Sequence, residues 1–374
     1  SKSMGIMIGP KVVIHIDRLI KNYDQIKNKL GRSNLMVVVK ANAYGHGSAR
    51  CASALEKHGC KSFAVFSIEE GIELRDAGIS SDILIFSKLD ISYLELAVKN
   101  NFILNISNLK DFDILKSFSS KNKNSPRFHV KFDTGMTRLG LNINEADRAF
   151  KILSQNDELK CEGLYSHFAT ADEGELSFAH EQAGKFKEIL KKAYSFGLEF
   201  KTVHFSNSGA VLNFDQSDFD IVRVGMLIYG AFPSNEVPKD IEILPVMEFV
   251  APIVEVRRVE KGTQISYGGV YKTEKESNIG VIQCGFADGI PRSWYKNGYV
   301  GYKGKHYKIA GRICMDQFMV NFEDDLPNQG DEVLIFGSND FNSISMETIA
   351  EEIESTPYVI ATGINGRTKL SYHN

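Results

Sequence analysis

Short apolar runs rich in β-branched and aromatic residues recur at 35–39, 63–66, 83–86, 102–106, 128–132, 162–165, 202–205 and 220–224. Runs of this length without polar alternation predict strands buried on both faces, as in a parallel sheet. Segments with helical spacing of apolar positions separate them, at 48–58, 68–77, 92–99, 109–118, 145–153, 175–196 and 208–214. Eight strands alternating with helices is the expected signature of a (β/α)8 barrel; an open doubly wound sheet has a similar rhythm, and the count of eight favours the barrel. After Gly230 the texture changes, because 232–238 is a polar segment bracketed by Pro233 and Pro238. This predicts an α/β barrel domain over 1–238 and a second, mostly-β domain over 239–374. Alternating strand patterns at 247–259, 263–270, 279–283, 299–302, 307–313, 318–321 and 332–336, with one helix at 346–354, fill the second part.

Composition narrows the class. With 44 basic against 47 acidic residues the formal charge is -3, so the chain as a whole has no electrostatic footprint for nucleic acid or an anionic membrane. The five cysteines are odd in number and scattered, with no Cys-x-x-Cys pair, which predicts reduced thiols, no structural disulfide and a cytoplasmic setting. The apolar stretch near the start is cut by Gly5, Gly9 and Pro10, too short for a signal sequence, and no run approaches the roughly 20 apolar residues a membrane span needs.

In a parallel barrel the working residues stand at the carboxyl ends of the strands. The first strand ends in Lys40-Ala41-Asn42-Ala43-Tyr44-Gly45-His46-Gly47. A lysine closing an apolar strand is poorly solvated, which lowers its pKa and frees the amine for imine chemistry. The fifth strand runs into Lys131, Asp133 and Arg138, whose planar fork suits a carboxylate, and the sixth into His167. The seventh leads to Asn207 and Ser208, the eighth to Arg223, Gly225 and Met226. Hydroxyls and bare amides on the last two loops make a phosphate cradle. A strand-end lysine plus that cradle matches what pyridoxal 5′-phosphate (PLP) demands, an imine and a phosphate grip together.

With these motifs the chain resembles the alanine racemase family, PLP-dependent, two-domain enzymes of fold type III. The segments 38–47, 131–140, 222–225, 266–269 and 311–316 carry the likeness, in order along nearly the whole chain. The resemblance implies that Lys40 is the PLP lysine and one catalytic base. It implies that Tyr267 is the second base, acting from the other subunit of a head-to-tail homodimer on the opposite face of the substrate. Arg223 is implied as partner of the pyridine nitrogen, linked through His167 to Tyr267. Tyr44, Ser208, Gly225, Met226 and Tyr358 are implied as phosphate contacts, with Asn207 beside them. Arg138 and the Met315 backbone are implied as carboxylate-binding groups, with Asp316 next to Met315. Lys131 stands where many members carry a carbamylated lysine. The implied reaction is interconversion of L- and D-alanine, supplying D-alanine for a bacterial cell wall.

The chain departs from the family pattern at Val359, where Glu is usual, and at Arg367-Thr368-Lys369-Leu370, which replaces an Arg-Val-Pro-Arg type of ending. Neither touches the two implied bases; both bear on which side chain the pocket accepts, so a serine or broader-specificity racemase is the alternative. A PLP-carrier barrel is a further alternative, disfavoured by the second domain. A metal-dependent hydrolase using His167, His204 and Asp172 has little support, since no strand carries a His-x-His pair or compact carboxylate cluster.

Overall fold

Strand β1 (Lys11–His15) belongs to a second sheet, and the next eight strands close into a parallel barrel: β2 (Asn34–Val38), β3 (Ser62–Val65), β4 (Asp82–Ile85), β5 (Ile103–Ile106), β6 (Arg127–Lys131), β7 (Lys160–Tyr165), β8 (Thr202–His204) and β9 (Ile221–Val224). A computed structural model describes residues 9–168, 176–205, 219–234 and 239–374 of the chain. The barrel closes through Leu35↔Val222 and Val37↔Val224. Every position of β3 and β5 is buried. That is the physical meaning of runs without alternation: one face fills the barrel, the other meets the helices. The helices stand between the strands as the apolar spacing requires, and their starts are built locally. Ser67, for example, accepts from the Glu70 N–H while Glu70 reaches back to the Ser67 N–H, a capping box that opens the helix Ile68–Asp76. The expected helix at 208–214 lies outside the described residues.

Helix α1 (Ile16–Leu30) was not evident from the sequence, although Leu19, Tyr23, Ile26 and Leu30 lie along one buried stripe. Buried Asn22 on that stripe ties the two parts of the chain together. Its amide donates to Ile228 O at 3.0 Å and Leu244 O at 2.7 Å, and its Oδ1 accepts from Leu244 N–H at 2.8 Å. An apolar residue there would strand three backbone groups, at about 1–3 kcal/mol each.

The second part is built on β10 (Met247–Val259), which pairs antiparallel with β1, with Ser277–Ile282 and with Glu332–Ser338. On its other edge β1 pairs in parallel with Lys369–His373, Lys11 facing Lys369. A strand within 1–238 therefore completes the second domain's sheet, because Val12 and Ile14 bury on the face they share with it. Several local expectations need correcting. The strand expected at 307–313 is Lys305–Lys308 and stops before Gly311, whose φ of 82° turns the chain. The strand expected at 263–270 is a short ladder, Gln264–Ile265 against Tyr271–Lys272, with the 3₁₀ turn Tyr267–Gly269 between them. Gly268 and Gly269 take φ of 75° and 59°, which no strand accommodates. A second helix, Pro357–Thr362, follows the expected one (Met346–Glu352), opened by a Thr356 cap and Pro357 in its first turn.

Candidate active site

Lys40 closes β2, after Val39 N–H donates to Ala64 O at 2.9 Å. The chain then turns left-handed over four residues that are not glycine, with φ of 49° at Ala41, 53° at Asn42, 54° at Ala43 and 50° at Tyr44. Such a conformation costs about 1–2 kcal/mol per residue, so the surroundings must over-determine it. They do. Gly45 N–H donates to Ala41 O at 3.0 Å, Gly47 N–H to Asn42 O at 2.9 Å, and Ser48 N–H to the Asn42 side-chain oxygen at 2.9 Å. The buried His46 donates from Nδ1 to Ala43 O at 3.0 Å and Tyr44 O at 2.9 Å. Burial lowers the His46 pKa to about 4, so the ring is a neutral brace for the turn.

Cations crowd the barrel mouth. The Lys40 ammonium sits 5.9 Å over the Phe86 ring, and its pKa is lowered first by burial, then by Arg138 and Arg223. Lys131, at the end of β6 and only 6% exposed, is lowered to about 7 by burial, Arg138 and Arg223. Arg138 rides on a loop folded back on its own strand: Asp133 N–H donates to Leu141 O and Leu141 N–H to Lys131 O, each at 2.9 Å. Gly140, at φ 144°, permits this, since a Cβ there would lie 2.6 Å from Asp133 N.

Arg223, on β9, is buried and donates to three groups: Ser166 O at 2.7 Å, His167 Nδ1 at 3.2 Å and His204 Nδ1 at 2.5 Å. An arginine has only donors to offer, so both imidazoles must present bare Nδ1 and carry their proton on Nε2. His204 passes that proton's hydrogen bond on to His129 Nδ1 at 2.9 Å. Burial, then the Arg223 charge, holds His167 and His204 well below the usual imidazole range, and burial lowers His129 to about 3. All three rings are neutral. Tyr165 stacks on His204 at 4.5 Å, lies 5.0 Å from the Arg223 guanidinium and donates to Asn105 Oδ1 at 2.7 Å. Arg223 is thus fixed as a cation in the barrel core, its own pKa lowered by burial to about 10. His204, considered above as a metal ligand, has both ring nitrogens engaged; Asp172 lies outside the described residues.

On the other side of the mouth a Cβ on Gly225 would lie 2.3 Å from the Tyr44 hydroxyl. Bare backbone and phenol therefore share one small space at the start of the 3₁₀ turn Met226–Tyr229. Tyr44 is held edge-on against Tyr229 at 5.2 Å and Tyr358 at 5.9 Å, and Tyr229 donates to Val38 O at 2.8 Å. Asn207 and Ser208 lie outside the described residues.

Tyr267, Met315 and Asp316 do not join this cluster. They sit together on the second domain and face solvent, Tyr267 at 71% and Met315 at 56% exposure. Ser266, at φ 65°, donates to Arg312 O at 2.7 Å and so fastens the Tyr267 turn to the segment leading to Met315. Arg367 donates to Asp288 Oδ1 at 2.9 Å and to Asp316 Oδ1 at 2.7 Å. The altered ending thus still braces this loop.

Fold and rim together define a class: a two-domain barrel protein built round a strand-end amine held below its ordinary basicity, with a second cluster projecting from a β domain. The family model described as alanine racemase, N-terminal domain, matches residues 14–233, and that of alanine racemase, C-terminal domain, matches residues 246–372. Alanine racemase 2 of Caldanaerobacter subterraneus subsp. tengcongensis is 36% identical over 365 residues, covering 97% of this chain and 94% of that protein. The crystal structure of alanine racemase from D-cycloserine-producing Streptomyces lavendulae superposes with a TM-score of 0.92 at 31% identity, covering 98% of each chain. That of Bartonella henselae alanine racemase with covalently bound pyridoxal phosphate gives 0.89 at 25% identity, covering 98% of this chain and all of that one (100%). The chain belongs to the alanine racemase family.

The residues present fit pyridoxal phosphate. Lys40 offers an amine of lowered pKa, Arg223 a buried guanidinium that could donate to a ring nitrogen, and the Tyr44 hydroxyl beside the bare backbone of Gly225 polar groups that could hold a phosphate.

Proposed function

We propose that the chain interconverts L- and D-alanine with PLP, using Lys40 on one face of the substrate and Tyr267 of the partner subunit on the other. When bound, PLP supplies an electron-withdrawing ring that stabilises negative charge at the substrate Cα. Lys40 exchanges a proton with Cα on its face, and its lowered pKa keeps a share of the amine neutral for that work. Racemisation needs a second group on the opposite face, and Tyr44 and Tyr165 of this cluster are poorly suited to it, because both are buried and burial raises the pKa of both. Exposed Tyr267 suits delivery from a second copy. Arg138 and the Met315 backbone hold the substrate carboxylate, with Asp316 and Arg367 bracing the loop. Arg223 donates to the ring nitrogen without surrendering a proton, which limits electron withdrawal and favours simple proton exchange over side reactions. Lys131, held well below its ordinary pKa by burial, Arg138 and Arg223, presents a neutral amine that can add CO2 and release one N–H proton to solvent, giving a carbamate that pairs with Arg138.

The desolvated Lys40 amine at the end of β2, its ammonium disfavoured by burial, Arg138 and Arg223, carries the reading. Circular dichroism of L-alanine should decay to zero with the chain, and K40A should lose both this activity and the visible absorbance of bound PLP; retention of both refutes the reading. Subunit mixing tests the shared site. Inactive K40A and Y267A should regain activity when mixed, to about a quarter of wild type, because half of the dimers are hybrids with one intact site. Rates for alanine, serine and lysine separate the narrow from the broad racemase.

A further inference from the structure

We propose that Glu70 is a positioning residue for Lys40, its carboxylate clamping the first peptide of the left-handed turn to the loop after the neighbouring barrel strand. Glu70 Oε2 accepts from Ala41 N–H, the peptide that follows Lys40, at 2.6 Å. Its Oε1 accepts from Phe66 N–H at 2.8 Å and Ser67 N–H at 3.0 Å, just beyond β3. One side chain thus satisfies three backbone donors on two adjacent strand ends. Ala43 finds a carbonyl within its own segment, Val39 O at 2.9 Å. Ala41 instead enters the turn by leaving β2, so its acceptor comes from across the rim. Without the clamp the Lys40–Ala41 peptide is free to relax from a conformation that only glycine adopts readily, and the Lys40 stem moves with it.

Charge acts with geometry. Arg138 and Arg223 face Lys40 from the loop after β6 and from β9, and both disfavour its ammonium; Glu70 favours it. The Phe86 ring adds an apolar wall. Lys131, at the end of β6, also feels the Lys40 charge, so the single carboxylate offsets part of this positive surround and keeps the amine from being depressed further.

The inference rests on the reading of Lys40 as the reactive amine, and the test separates the two. In full-length protein freed of PLP, so that the Lys40 amine is not tied up as an imine, trace acetylation by acetic anhydride across pH, read by peptide mass, reports the amine's titration; kcat is read separately on the PLP-loaded protein. E70Q should move the labelling midpoint to lower pH and reduce kcat on the order of tenfold to a hundredfold, with KM changing less than kcat. E70D, which keeps the charge but draws the acceptor back from Ala41, should reduce kcat with the midpoint close to wild type. S67A removes the helix-cap half of the same box while leaving the Ala41 contact, and should match wild type in both readouts. An unchanged midpoint with full kcat in E70Q, or S67A reproducing the E70Q behaviour, overturns the clamp and leaves a helix cap. K40A keeping colour and activity overturns the reading of Lys40 whatever Glu70 does.

Discussion

Replacing Lys131 by methionine removes a buried ammonium of nearly the same shape, and the structure fixes how the gain should depend on pH. The folded chain lowers this amine from 10.5 to about 7. A base depressed on folding destabilises the native state wherever the unfolded chain is protonated. The penalty is complete below pH 7, where both states carry the proton, shrinks as pH rises towards 10.5, and vanishes above it. Working the linkage through gives K131M a stability gain of roughly 5 kcal/mol at pH 6, falling to roughly 2 kcal/mol at pH 9 and to next to nothing at pH 10.5. Urea unfolding of the cofactor-free protein in CO2-depleted buffer measures this directly. The single tryptophan, Trp294, is buried in the second domain, so its fluorescence together with far-UV circular dichroism shows whether both domains unfold together. A gain that is flat across this pH range, or that grows with pH, refutes the reasoning that desolvation and neighbouring arginines set this amine.

Two further expectations follow from close contacts. G225A should weaken PLP binding at least tenfold, measured by absorbance titration, because the new methyl would lie 2.3 Å from the Tyr44 hydroxyl; Y44F should relieve part of the clash, the next atom being 3.0 Å away. H129F leaves the His204 Nε2–H without its acceptor in the core. It should cost about 1–3 kcal/mol in urea unfolding and alter the pH dependence of the bound cofactor's spectrum through Arg223, whereas H129N, which keeps an acceptor, should do less.

The barrel was legible because strands buried on both faces leave short unbroken apolar runs, and because strand ends are where such a fold puts Lys40, Lys131, His167 and Arg223. The features that the sequence does not display are chiefly non-local. Nothing near Lys11 announces that it will lie between Val250 and Lys369. The left-handed turn was equally hidden, since Ala41, Asn42, Ala43 and Tyr44 give no glycine signal and their conformation is imposed by partners such as His46 and Glu70. His129 and His204 are 75 positions apart and become a pair only when β6 and β8 line one barrel. Other features are local in the sequence: the Ser67-x-x-Glu70 capping box and the Thr356-Pro357 helix start each sit within a few residues.

The placement of β1 has a consequence for how the chain acquires its shape. A ribosome makes residues 11–15 well before their neighbours at 247–250 and 369–373. The eight-strand cylinder lies wholly between these times, so it is free to organise during synthesis while the strip preceding it waits. Maturation should therefore finish with a late stitching event that joins early and late segments, and that event, rather than closure of the cylinder, should set the pace at which competent molecules accumulate.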